Sequence, residues 1–184
     1  RDSFRGWSAS DLASYRVIRR QPLCSRWRDH LLCSVPAPSS GGLAVQQSLA
    51  LWDALNGGDR ITQTSGWQRL AQALAWADAD RLYWVRDPLD GTPWVSALLD
   101  PAYISERARR MKSDLSLRSA PGLPPGQSSY PFARPANGRE DGTSQITIVD
   151  RDGNLVSYTA SVETVFGSRH LVAGMVMNNQ LTDF

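Results

Sequence analysis

Between residues 113 and 142 the chain carries Pro121, Pro124, Pro125, Pro131 and Pro135 among several Gly and Ser. Proline fixes φ and removes a backbone donor, so neither a regular helix nor a central strand runs through such a stretch. Residues from about Ser113 to Asp141 are therefore expected to be loop-like and comparatively mobile, with few side chains able to form a packed face. The stretch divides the chain into residues 1–112, a linker 113–142 and residues 143–184. The two flanks have different periods.

The upstream flank reads mainly as helix. "SASDLAS" is a short helical turn capped by Ser8 or Ser10, and a strand is expected near Tyr15–Arg20 with a return strand at His30–Val35. Pro36 and Pro38 stop that strand. Val45, Leu49, Trp52 and Leu55 recur at helical spacing and predict a helix from about Leu43 to Leu55. A second helix is expected from about Ser65 to Tyr83, with Trp67, Leu70, Leu74 and Ala77 on one face. Asp87-Pro88 marks a loop. Asp100-Pro101 is a start signal, the Asp capping and the Pro occupying the first helical position, for a helix to about Lys112. Downstream the period shortens to two. Ser144–Val149 and Leu155–Ser161 read as strands paired through Asp152-Gly153, and a further strand is expected near Leu171–Met177. Val45, Leu49, Trp52, Leu70, Leu74, Ile146, Ile148 and Val156 are the expected core. The pattern is α+β, helices packed beside an antiparallel sheet.

Composition narrows the function classes. A hydrophobic share of 41% and a charged share of 21% suit a globular chain. The net charge is +2 and no Lys/Arg block stands out, so there is no electrostatic case for nucleic acid or a membrane surface. No apolar run approaches the length of a membrane-spanning helix, and the N-terminus does not read as a signal peptide. The chain opens on Arg1 and stops at "NNQLTDF", and it reads as a piece of something longer.

Cys24 and Cys33 flank "SRWRDHLL". If Arg28-Asp29 is a two-residue turn, the two cysteines face each other within disulfide reach. The alternative is a pair of small buried thiols.

"YRVIRRQPL", "VPAPSSGG", "ADADRLYWVRDP" and "PAYISERA", followed after the linker by a Thr opening a strand, "IVDRDGNLVSYT", "FGS" and "NNQLTDF", occur in an order that resembles the γ-glutamyltransferase family. That family belongs to the N-terminal-nucleophile hydrolases. The resemblance covers almost the whole chain and places it across the end of the large subunit and the start of the small one. It implies a partial αββα fold and a precursor that cuts itself. The bond would be Gly142–Thr143, the Thr143 hydroxyl attacking the preceding carbonyl, with a second role as nucleophile toward substrate. The freed α-amine, ordinarily titrating near 7.7–8.0, would then act as base beside its own hydroxyl. His30 and His170 are read as ordinary hairpin or loop residues.

The resemblance also implies that Ser161, where the family usually has Thr, hydrogen-bonds the nucleophile. Glu163 stands where many members have Asn at the substrate's α-carboxylate or its surroundings. Gln180 and Asp183 match positions that hold the substrate's α-amino group. It calls for no cofactor and no metal, and for a small γ-glutamyl amide such as glutathione as partner. It places two subunits of one precursor in the periplasm or outside the cell. The family's arginine for the substrate carboxylate lies upstream of this piece and its oxyanion glycines downstream, so the isolated chain is expected to be inactive. Thr143-Ser144-Gln145 replaces the usual Thr-Thr-His, and Glu163 adds charge to the pocket. Two alternatives follow: an acylase for another amide, such as a β-lactam side chain, and a non-catalytic paralogue.

Overall fold

The computed structural model describes residues 8–56, 64–85, 93–113, 119–130, 142–172 and 174–180. It separates into two compact units, one holding residues 19–136 and the other residues 1–18 and 137–182.

The unit of residues 19–136 is a helical pack with a hairpin on it. Strands β1 (Leu23–Trp27) and β2 (His30–Ser34) are antiparallel. They precede helices α2 (Gly41–Asn56), α3 (Thr64–Trp84), α4 (Pro93–Ala97) and α5 (Pro101–Ser113), α1 being the short helix Ala9–Ser14 of the other unit. The expected strand at Tyr15–Arg20 is absent: those residues form no strand, and the ladder starts only beyond Pro22, which has no N–H to donate. Arg28 takes the left-handed conformation (φ 53°) that the tight turn needs. The register sets Cys24 opposite Cys33, and the two form a disulfide with Cα atoms 4.1 Å apart. Both sulfurs are on the outer face. The cysteines are thus neither reduced nor buried.

Helix caps follow the sequence. The Ser8 hydroxyl accepts from the Asp11 amide while the Ser8 amide donates to the Asp11 carboxylate at 2.7 Å, a reciprocal cap on α1. The Asp11 carboxyl is held below its ordinary range by those bonds to Ser8. Asp100 Oδ1 accepts from the amides of Ala102 (2.8 Å) and Tyr103 (3.2 Å), with Pro101 at the first position of α5.

The inward faces of α2 and α3 are turned from those the apolar residues alone suggested. Trp52 is buried as expected, and Leu49 and Leu70 sit half-buried at the edge of the core. Val45 and Leu74, however, are exposed. In α3 the buried stripe is Ala73, Trp76, Ala77, Asp80 and Trp84, and in α2 it includes Leu43, Gln47 and Leu51. Both stripes contain a polar residue, and a search for apolar periodicity passes over them.

That polar pair belongs to a buried cluster. The Asp80 side chain is 0% exposed and that of Arg107 3%, with Arg107 Nη2 2.9 Å from Asp80 Oδ1. Asp80 also accepts from Gln47 Nε2 (2.8 Å), the Tyr103 hydroxyl (2.9 Å) and the Gly122 amide (2.8 Å). Arg107 donates in addition to the carbonyl of Ala120 at 2.7 Å and lies 4.3 Å from the centre of the Trp76 ring. Burial pushes the Asp80 carboxyl up, opposed by Arg107 and the hydrogen-bond donors. Burial, and then the neighbouring Asp80, push the Tyr103 hydroxyl up as well.

The cluster corrects the reading of the linker. Residues 119–130 form no helix or strand, as expected, but part of the segment is packed. Gly122 and Pro124 are buried, Trp84 Nε1 donates to the Gly122 carbonyl at 2.9 Å, and the Tyr130 ring packs tilted against those of Tyr83 and Trp84. The rest of the linker, 114–118 and 131–141, lies outside the described residues, as does the expected loop at Asp87-Pro88. A Cβ on Gly122 would overlap the Tyr103 hydroxyl and come within 2.9 Å of Arg107 Cδ. Gly122→Ala is expected to destabilise this unit by about 1–3 kcal/mol through overpacking, read as a lower urea midpoint with unchanged slope.

In the other unit, β3 (Ser144–Val149) and β4 (Leu155–Ala160) form the expected hairpin. Asp150 accepts from the amides of Asp152 and Asn154 at the turn, and its bonds to Asn154 lower its carboxyl. Ile146, Ile148 and Val156 are not buried: every residue of both strands is exposed. This is no register slip, since Ile146 pairs with Tyr158 and Ile148 with Val156 on one continuous apolar face. Among the described residues nothing buries either face. The single strand expected at Leu171–Met177 is instead a minimal hairpin, β5 (Leu171–Val172) with β6 (Met175–Val176).

Candidate active site

The candidate site lies at the open end of the β3–β4 hairpin. Ser144 pairs with Ala160, so the register carries Thr143 opposite Ser161 one step beyond the ladder. The Thr143 hydroxyl donates to Ser161 Oγ at 3.1 Å. Ser161 Oγ in turn donates to the carbonyl oxygen of Gly142 at 3.2 Å. The backbone amide of Glu163 donates to Ser161 Oγ at 2.9 Å. One serine hydroxyl therefore touches both ends of the Gly142–Thr143 peptide unit, and its single proton is directed at the carbonyl.

Backbone conformation holds this arrangement. Gly142 has φ 143° with open space around a would-be Cβ. Glycine is needed there for its dihedral angle rather than for room. Glu163 has φ 71°, which aims its amide back at Ser161. A non-glycine residue in that region is strained, and such strain concentrates at functional sites. Glu163 joins the site through its main chain, a contribution that residue type alone does not reveal.

The remaining expected residues are placed less closely. Gln180 closes the segment 174–180, its amide donating to Asn178 Oδ1. That segment is clipped beside the site by Asn179, whose Oδ1 accepts from both the amide and the hydroxyl of Thr164. Asp183 lies outside the described residues. A cleft of about 480 Å³ next to Thr164 is lined by Val165, Gly167, Ser168, Arg169 and Asn179 but not by Thr143 or Ser161. His30 stacks on Trp27, and the His170 carbonyl accepts from the Met177 amide. Among the described residues no group of His, Cys, Asp and Glu is arranged to hold a metal.

The gamma-glutamyltranspeptidase family profile matches residues 6–184. The glutathione hydrolase proenzyme of Bacillus subtilis (strain 168) is 31% identical over 183 residues, covering 95% of this chain and 31% of the relative. The acylase ACY 1 proenzyme of Pseudomonas sp. (strain SE83) is 30% identical over 178 residues, with 95% and 30% covered. The crystal structure of a cephalosporin acylase from Bacillus halodurans superposes with a TM-score of 0.72 at 24% identity, over 92% of this chain and 28% of that one. The fold is thus the mixed helix-and-strand architecture of that acylase. The chain spans about three-tenths of the length of the curated relatives it matches. With the profile running across nearly every residue, the chain belongs to the gamma-glutamyltranspeptidase family.

Proposed function

We propose that the native-length protein is a self-cleaving enzyme that uses Thr143 as its nucleophile to hydrolyse or transfer γ-glutamyl groups from amides such as glutathione. The observation that carries the proposal is the Ser161 hydroxyl, bonded at once to the Thr143 hydroxyl and to the Gly142 carbonyl oxygen. In the precursor, Thr143 Oγ attacks the Gly142 carbonyl carbon, which the Ser161 proton polarises. The C–N bond breaks as the hydroxyl proton passes to the leaving nitrogen, an ester links the Gly142 carbonyl to Thr143 Oγ, and water hydrolyses it to a Gly142 carboxylate and a free Thr143 hydroxyl. The freed α-amine then takes the hydroxyl proton during attack on the substrate amide. Two subunits from one precursor follow from this chemistry, and the relatives carry the word proenzyme in their names.

Gln180 and, in the remainder of the site, Asp183 and Glu163 serve as contacts to the substrate's ammonium, which a carboxylate meets with a charge-assisted bond. An extracytoplasmic location is supported by the exposed Cys24–Cys33 disulfide, since glutathione-rich compartments keep such cysteines reduced.

A second reading, an acylase for a non-γ-glutamyl amide, is favoured by Glu163, whose charge opposes a substrate carboxylate, and by the acylase relative. Turnover by the native-length protein of a γ-glutamyl anilide against a panel of other amides separates the two. The site itself is tested by intact mass. A new chain beginning at Thr143 is expected, and Ser161→Ala should slow its appearance about 100-fold, the loss of one polarising donor. Ser161→Thr should restore it. Unimpaired cleavage in Ser161→Ala would remove the hydroxyl from the mechanism.

A further inference from the structure

The outer face of the β1–β2 hairpin carries a feature that the proposed hydrolysis does not use. Cys24 and Arg26 of β1 and Leu31 and Cys33 of β2 all point outward and are exposed. Arg26 sits opposite Leu31, two residues along from Cys24 and diagonal to Cys33. Its Cα lies about 7 Å from each cysteine's. The neighbouring Arg28 is engaged elsewhere, bonded to Asp53 at 2.7 Å and stacked on the Trp27 ring at 4.7 Å.

The inner face holds the hairpin without the disulfide. Gln46 is buried and takes both strands: it donates to the Leu23 carbonyl (3.0 Å) and Ser34 Oγ (2.8 Å), and accepts from Ser25 Oγ (2.5 Å). Leu23 packs on one core cluster and Trp27 on the other. Five ladder pairs complete the attachment. These contacts are independent of the S–S bond, and both cysteines lie on the exposed face.

We propose that the Cys24–Cys33 disulfide is a thiol-exchange site, opened by small anionic thiols that Arg26 draws to the outer face of the hairpin. A thiolate attacks one cysteine sulfur, the S–S pair of electrons leaves on the other as a thiolate, and a mixed disulfide results. A second thiolate attacks the mixed disulfide at the small-molecule sulfur, freeing the first cysteine. The sum is one protein disulfide reduced to two thiols and two small thiols oxidised to their disulfide. The positive guanidinium favours both the approach of a carboxylate-bearing thiol and the departing cysteine thiolate. The proposal does not involve Thr143 and stands independently of the nucleophile's assignment.

The test uses the native-length protein with reduced glutathione, or with the neutral 2-mercaptoethanol, at equal thiolate concentration. Free thiols are trapped with iodoacetamide and peptides are mapped by mass. Glutathione is expected to give the mixed disulfide and then the dithiol at Cys24 and Cys33, with the far-UV circular dichroism unchanged. Arg26→Glu should slow opening by glutathione about 3–10-fold while changing the 2-mercaptoethanol rate less than twofold, and added salt should narrow the wild-type difference between the two thiols. The idea is overturned if the native disulfide resists both thiols while the urea-unfolded protein opens. Equal slowing of both thiols by Arg26→Glu, or none, would also overturn it, as would loss of fold on opening.

Discussion

Thr143→Ala in the native-length protein is expected to abolish both self-cleavage and turnover. The same oxygen makes both attacks, so its loss removes two activities with one substitution. Thr143→Ser keeps the oxygen and loses only a methyl group, and some of each activity should remain. The Ser161 contact at 3.1 Å can form with either hydroxyl. The readout is intact mass beside a γ-glutamyl anilide assay, run on the wild type and both variants. An Ala variant that still splits between Gly142 and Thr143, or still turns over substrate, takes Thr143 out of the mechanism. In the isolated 184-residue chain the bond can stay whole without contradicting this. Attack depends on an enforced geometry, and the chain spans only about three-tenths of its relatives' length.

The second large effect lies in the core. Asp80→Asn is expected to destabilise the unit of residues 19–136 by about 3–5 kcal/mol, because Arg107 is then buried without a counter-charge. Denaturant unfolding followed by tryptophan fluorescence reads this directly, since Trp76 and Trp84 border the cluster. The double variant Asp80→Asn with Arg107→Met removes both charges and should recover a substantial part of the loss. Additive single-variant costs would show that the two residues act separately. A cost under about 1 kcal/mol for Asp80→Asn is too small for a buried pair losing its partner.

The sequence made some of this legible and hid the rest for identifiable reasons. Asp100-Pro101 and Asp152-Gly153 carry their instructions in neighbouring residues, and both the α5 start and the hairpin turn came out where local chemistry puts them. Thr143 opposite Ser161 follows from that turn by counting. The inward face of α2 is not legible from apolar spacing because Gln47 points inward, toward a carboxylate 33 residues away, and no local pattern announces such a partner. "ADADRLYW" and "PAYISERA" were visible as family-like pieces, but their task, supplying Asp80, Tyr103 and Arg107 to one cluster, appears only when α3 and α5 are side by side. Ile146, Ile148 and Val156 alternate as a half-buried strand should, yet alternation says which residues share a face and not whether anything lies on it. Residue type points to the Glu163 side chain, whereas its described link to the site is a backbone amide set by a positive φ.

The Asp80 cluster has a consequence for the order of events during synthesis. Its donors are Gln47, Tyr103, Arg107 and Gly122, and a ribosome delivers them in that sequence. Until Gly122 has emerged, Asp80 lacks its amide donor, and Arg107 lacks the Ala120 carbonyl. Packing α3 against α5 before then would bury both groups with bonds missing, which the interior penalises. The expected order is therefore that α3 and α5 close on each other only after residues 120–122 have left the tunnel. Ribosome-bound chains in which residue 118 or residue 130 is the last to have emerged should differ sharply in protease resistance, the longer one being protected. On that outcome, a segment whose composition suggests a passive spacer would set the timing for the helices that precede it.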